Sequence, residues 1–231
     1  MTSEPGLLVA DTTGPVRGIA VVLHGGRADS HARVRGAQLA VLRMRPFVAD
    51  LRTTDGLVVA QVRYRVRGWN GAERSPVADT GWALDRLAAR FPDVPIGLVG
   101  HSMGGRTAMY VAGHESVRSV VGLAPWLEPG DPTSQLAGRR VLIAHGDADR
   151  MTSPSASAEY ARQIAQVAAS VGYVTVRGER HAMLRRARLW TALSTAFTRA
   201  VLLGTPPDGS AGPEIAKLVV DALSGRPSLV I

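Results

Sequence analysis

The chain has 231 residues, enough for one α/β domain with a sizeable core, and its 45% hydrophobic and 20% charged residues are ordinary for a globular protein. It contains no cysteine, which excludes disulfides, thiolate metal sites and a cysteine nucleophile, and no apolar run approaches the ~18 residues of a membrane-spanning helix. The formal net charge is +8 and Lys217 is the only lysine, but the arginines are scattered without interleaved aromatics, a pattern that argues against nucleic-acid binding.

The N-terminus Met1-Thr2-Ser3-Glu4-Pro5-Gly6 has neither a basic start nor an apolar core, so no signal peptide is expected and the expected location is cytoplasmic. Leu7–Ala10 reads as a first strand, and Gly18–Leu23 as a buried strand running into the glycine loop His24-Gly25-Gly26. A helical pattern is predicted from about His31 to Pro46, with a kink or a second helix to Leu51. Leu57–Tyr64 follows as a strand. Ser75-Pro76 reads as an N-cap and first helical position, and Leu84, Leu87, Ala88 and Phe91 give that helix its apolar face.

The central stretch is Pro95 to Gly105. Ile96–Val99 is a short apolar strand, Gly104–Gly113 a helix rich in small residues, and between them stands Gly100-x-Ser102-x-Gly104, the pattern of a nucleophile elbow. A serine at the apex of so tight a turn leaves no room for a Cβ two residues to either side. Val117–Leu123 and Arg140–Ala144 are further strands, the second running into His145-Gly146-Asp147-Ala148-Asp149. Ser153-Pro154 repeats the cap-then-proline signal for a helix expected to carry Tyr160, Ile164, Val167 and Val171 and to end at Gly172. Val174–Val176 reads as the last strand and leads to Gly178-Glu179-Arg180-His181. A helix is expected from about Leu184 to Leu203, then a Pro/Gly-rich linker over 205–212 and a helix over Glu214–Leu223. The expected organisation is one domain over 1–204 with a linker and C-terminal helix over 205–231. The alternation of strands and helices predicts a mainly parallel sheet covered on both faces, with the chemistry at the strands' C-terminal ends.

Over about residues 18–203 the chain resembles the α/β-hydrolase family of serine hydrolases. The resemblance implies that fold, and the short Trp126–Arg139 segment leaves no room for a helical cap domain. It also implies a triad in the chain order serine, acid, histidine, with Ser102 as nucleophile. Of the histidines, only His181 lies after the candidate acids. The family often shows His-Gly-x-x-Asp, matched here by His145, Gly146 and Asp149, so Asp149 is favoured over Asp147 as the acid. Oxyanion donors are expected at the backbone of Met103 and in the glycine loop at Gly26, with Arg27 the alternative. His24, His101 and His145 are expected to brace loops, and Trp126 and Leu127 to wall a pocket. No metal or cofactor is expected.

The implied reaction is carboxylic-ester hydrolysis through an acyl-serine, on a small-molecule ester or acyl substrate. Thioester hydrolysis or acyl transfer would use the same residues, and a ligand-binding member of the fold would retain them idle. Dienelactone hydrolases are similar in size and lack a cap, but usually carry a cysteine nucleophile. Arg27, Arg150 and Arg180 adjoin the three site loops. They either give the mouth a positive potential that favours anionic esters or are simply surface residues of an arginine-rich chain.

Overall fold

A computed structural model describes residues 4–207, 211–226 and 229–231. The N-terminal Met1–Ser3 and the centre of the expected linker, 208–210, lie outside the described residues. Eight strands form one sheet in the order β1-β3-β2-β4-β5-β6-β7-β8. They are β1 (Gly6–Ala10), β2 (Gly18–Leu23), β3 (Leu57–Arg63), β4 (Ile96–His101), β5 (Val117–Leu123), β6 (Arg140–Gly146), β7 (Ser170–Val176) and β8 (Leu229–Val230). Only β1 runs antiparallel, against β3; every other neighbouring pair is parallel.

The parallel strands are apolar on both faces, and their side chains divide by the two-residue period of a strand. In β2, Ile19, Val21 and Leu23 join a core formed with α3 (Ser75–Arg90), α4 (Met103–Val111) and α5 (Pro154–Ile164), where Leu84, Leu87, Met109, Tyr160 and Ile164 are buried. Ala20 and Val22 face the opposite core, with α2 (Arg45–Leu51), α6 (Ala187–Leu203) and α7 (Pro213–Leu223) supplying Phe47, Leu51, Trp190, Phe197, Leu218 and Val219. The single short helix between β5 and β6 is a 3-10 turn at Ser134–Leu136, so no cap stands over the sheet among the described residues.

Four stretches differ from the sequence reading, each for a tertiary reason. Residues 31–38 are not helical; only Leu39–Leu42 (α1) and α2 are. The loop's amides and carbonyls are taken by the facing 65–70 loop, with Arg67 N donating to Ala32 O (3.0 Å), Gly68 N to Ser30 O (2.9 Å) and Val34 N to Arg65 O (3.3 Å). Ser75 is not the N-cap of α3 but lies in its first turn, where its Oγ accepts from Asn70 Nδ2 at 3.1 Å. By contrast, Ser153 does cap α5, accepting from Ala156 N at 3.1 Å. The helix expected to reach Val171 stops at Ile164. Val171 and Gly172 belong to β7, and a Cβ on Gly172 would run into the Ala222 side chain of α7. Finally, Val174–Val176 is not the last strand, because β8 adds to β7 in parallel with Val174 opposite Leu229.

Candidate active site

The turn from β4 into α4 is built around what its glycines omit. A Cβ at Gly104 would sit 2.5 Å from Leu23 O and 2.6 Å from His24 O, and one at Gly100 would overlap the backbone of Gly104. With both absent, Ser102 can occupy φ 56°, ψ −121°, a conformation that costs an L-residue on the order of 1–3 kcal/mol. The surroundings impose it: Ser102 N donates to Leu123 O (3.0 Å), while Trp126 N and Arg106 N both donate to Ser102 O (3.1 Å each). Two neighbouring loops also hold residues at positive φ, Ala124 after β5 (41°) and Met183 after His181 (54°).

His181, on the loop after β7, presents Nε2 to Ser102 Oγ at 3.0 Å and Nδ1 to Asp149 Oδ2 at 2.8 Å. These contacts fix a consistent tautomer, with Nδ1–H donating to the carboxylate and Nε2 accepting from the hydroxyl. Asp149 is buried after β6. Its Oδ1 accepts from the backbone N–H groups of Met151 (2.8 Å) and Thr152 (3.2 Å). Its Oδ2 accepts from His181, from His145 Nε2 (3.1 Å) and from Thr152 Oγ (2.9 Å). Burial alone would raise the Asp149 pKa, but these donors outweigh it and hold the carboxyl far below the usual carboxylate range. Asp147 is directed elsewhere: its Oδ1 accepts from Gly178 N at 2.7 Å and ties the β6 loop to the β7 loop.

Each of the other three loop histidines has a partner. His145 is fully buried and spans Asp149 and Ser157, with Nδ1 2.9 Å from Ser157 Oγ. His101 lies with its ring centroid 4.8 Å from that of His181 and donates Nε2–H to His181 O at 3.0 Å. Burial, with the neighbouring His181 adding to it, pushes its pKa down to about 3. His101 therefore stays neutral at pH 7. His24 donates Nδ1–H to Gly25 O at 2.7 Å, and burial pushes its pKa down to about 4.

In the glycine loop, Arg27 N donates to Arg67 O at 2.9 Å and is unavailable to a substrate. A Cβ on Gly26 would collide with the Met103 side chain and Arg67 O, so this position seats the loop directly against the start of α4. Trp126 lines an open cavity beside the elbow, whereas Leu127 is buried in the core. Arg27, Arg150 and Arg180 are exposed and form no ion pair among the described residues.

Two contributors escaped the sequence reading. Thr152 joins Asp149 and lies 3.1 Å from His181 Nδ1. Glu179 is buried; its carboxylate accepts from the backbone N–H of Arg180 and Arg186 and from Trp190 Nε1 (3.1 Å), pinning the His181 loop to the start of α6. Its only sequence signal was a carboxylate two residues before the candidate histidine. Among the described residues no group of three or more His, Asp or Glu is placed to hold a metal ion, and no helix is long and apolar enough to cross a membrane.

The model of the alpha/beta hydrolase fold family matches residues 63–175. Among solved structures, an alpha-beta serine hydrolase homologue from Coxiella burnetii aligns with a TM-score of 0.63 at 18% identity, over 83% of this chain and 90% of that one. A serine hydrolase without lid from Xanthomonas campestris aligns at 0.60 and 17% identity, over 86% and 95%. A monoacylglycerol lipase from Paleococcus ferrophilus aligns at 0.63 and 15% identity, over 85% and 98%. No curated protein matches the chain by sequence. At these identities the likeness is one of fold.

Proposed function

We propose that this chain, which has the α/β-hydrolase fold, is a serine hydrolase that cleaves carboxylic esters through an acyl-serine intermediate. The observation that carries the reading is the unbroken relay from Ser102 Oγ to His181 Nε2 (3.0 Å) and from His181 Nδ1 to Asp149 Oδ2 (2.8 Å), with the serine at the apex of a strained turn. A structural serine needs neither the strain nor the relay. The lipase and hydrolase likenesses at low identity support the reaction class.

The mechanism follows from the proton positions. Ser102 Oγ attacks the ester carbonyl as its proton passes to His181 Nε2. The resulting imidazolium is stabilised by Asp149, which stays ionised and does not take the proton. The carbonyl oxygen becomes an oxyanion, for which the proposed donors are Met103 N–H, at the N-terminal end of α4, and Gly26 N–H. Collapse of this intermediate breaks the bond to the alkoxide, which takes the proton from His181 and leaves as the alcohol. Water then attacks the acyl-serine with His181 as base, releasing the acid and restoring Ser102.

The reading is tested with a fluorophosphonate probe and an ester panel of varied acyl length. Covalent labelling of the wild type, lost in Ser102→Ala together with turnover of every ester, is the expected result. Equal labelling of both proteins, or a folded wild type that neither labels nor turns over any ester, would sink it.

A further inference from the structure

Beside the elbow lies a cavity of about 340 Å³ lined by Asp29, Trp69, Arg74, Arg106, Tyr110 and Trp126, among others. It adjoins the site through the backbone: Trp126 N is bonded to Ser102 O, and Ala28 on the rim is two residues from Gly26, a reach of at most about 7 Å. The lining contains no Leu, Ile, Val or Met; its large apolar side chains are Trp69, Tyr110 and Trp126, and its only aliphatic ones are Ala28 and Ala72. The rings are already ordered: Trp69 meets Tyr110 edge-to-face at 5.0 Å and Trp126 at 6.2 Å.

The Arg106 guanidinium sits among these rings, 4.4 Å from the Trp69 centroid and 4.7 Å from that of Trp126. Arg106 is 5% exposed. Its Nη2 is held by Asp131 Oδ1 (2.6 Å) and Glu128 Oε2 (2.8 Å), and its Nε bonds Asp131 at 3.2 Å, while its Nη1 donates to nothing among the described residues. Arg74 stands over the Tyr110 ring at 5.3 Å.

Charge narrows the occupant. A cation would meet two guanidinium groups that already occupy ring faces. An anion would meet the carboxylates of Asp29 and Glu128, which balance Arg74 and Arg106 one for one and leave the lining no net positive charge. A long alkyl chain would find few aliphatic contacts. A neutral planar ring can pack on the indole edges and offer an oxygen to Arg106 Nη1.

We propose that this cavity is the specificity subsite for a neutral aromatic group of the substrate, with Trp126 as its principal wall and Arg106 as its hydrogen-bond donor. The inference rests on the ester-hydrolase reading for its link to turnover, but the cavity's preference for an aromatic ring is measurable without turnover.

Two matched ester pairs test it, each with a methylene that isolates the ring from the reacting group. Methyl phenylacetate against methyl cyclohexylacetate probes the acyl side, and benzyl acetate against cyclohexylmethyl acetate the alcohol side. The expected result is a kcat/KM about 3- to 10-fold higher for the aromatic member of at least one pair, and near-equality in Trp126→Leu. Independently, benzamide should bind the wild type more tightly than cyclohexanecarboxamide by a similar factor, read by tryptophan fluorescence. If benzamide binds preferentially while no ester is turned over, the subsite stands and the hydrolase reading falls. If esters are turned over with no aromatic preference in either pair and benzamide binds no tighter than its saturated analogue, the hydrolase stands and the subsite is overturned.

Discussion

Five donors converge on the Asp149 carboxylate, and all five expect an ionised acceptor. Asp149→Asn keeps the shape but turns an N–H toward donors, which misorients His181. We expect kcat to fall by about 1,000- to 10,000-fold with KM little changed, whereas Asp147→Asn should cost less than about tenfold. Steady-state kinetics on one ester with both variants decides between the two acids. The resemblance to His-Gly-x-x-Asp pointed to Asp149, whose carboxylate lies 2.8 Å from His181 Nδ1, but nothing in the sequence pointed to the contacts of Thr152 and Glu179. Threonine and glutamate occur everywhere, and these two act only through neighbours that are 3 to 29 and 1 to 11 positions away in the chain.

The same scale sets a pH dependence. His24 and His101 have pKa values pushed below the ordinary 6.5, to about 4 and about 3, by burial. Between 6.5 and those values the unfolded chain binds protons that the folded chain refuses. Stability is therefore intact above pH 6.5 and falls as pH drops toward 4, at about 1.4 kcal/mol per unit for each histidine. Urea denaturation at pH 7, 6 and 5 measures this, and a flat profile would contradict it. The depressed Asp149 pKa adds its own loss only at lower pH, below the usual carboxylate value.

At the level of elements, the strand–turn–helix at Ser102 was readable because its causes are local: a four-residue apolar run, two glycines at fixed offsets and a small-residue helix. Gly104→Ala tests those causes. Its methyl would press on Leu23 O and His24 O, backbone atoms that cannot rotate away, and we expect a loss of about 2 kcal/mol or more in chemical denaturation. Residues 31–38 misled the reading for the opposite reason. Their apolar spacing suits a helix, but their backbone groups bond to a loop more than 30 residues away, and no local pattern reports that. The boundary of α5 was hidden in the same way, because Val171 and Gly172 face Val141 and Leu142 in a strand that pairs with all of β6.

Across the molecule, the C-terminal segment is joined to the body. Helix α7 buries Ile215, Leu218 and Val219 against the face of the sheet that also carries α6, and β8 pairs with β7. A chain ending at residue 204 would uncover that face. At about 1.5–3 kcal/mol for each large buried side chain, the truncation should cost on the order of 5 kcal/mol. Its denaturation midpoint against the full chain is the check, and an unchanged midpoint would make 205–231 a dispensable tail.

The backbone of Ser102 carries a cost of its own. An achiral residue would sit at φ 56° without penalty, so Ser102→Gly should melt about 2–4 °C above the parent while having no nucleophile at all. The fold would then be more durable inert than reactive, and a screen for heat resistance alone would select against the hydroxyl on which the proposed reaction depends.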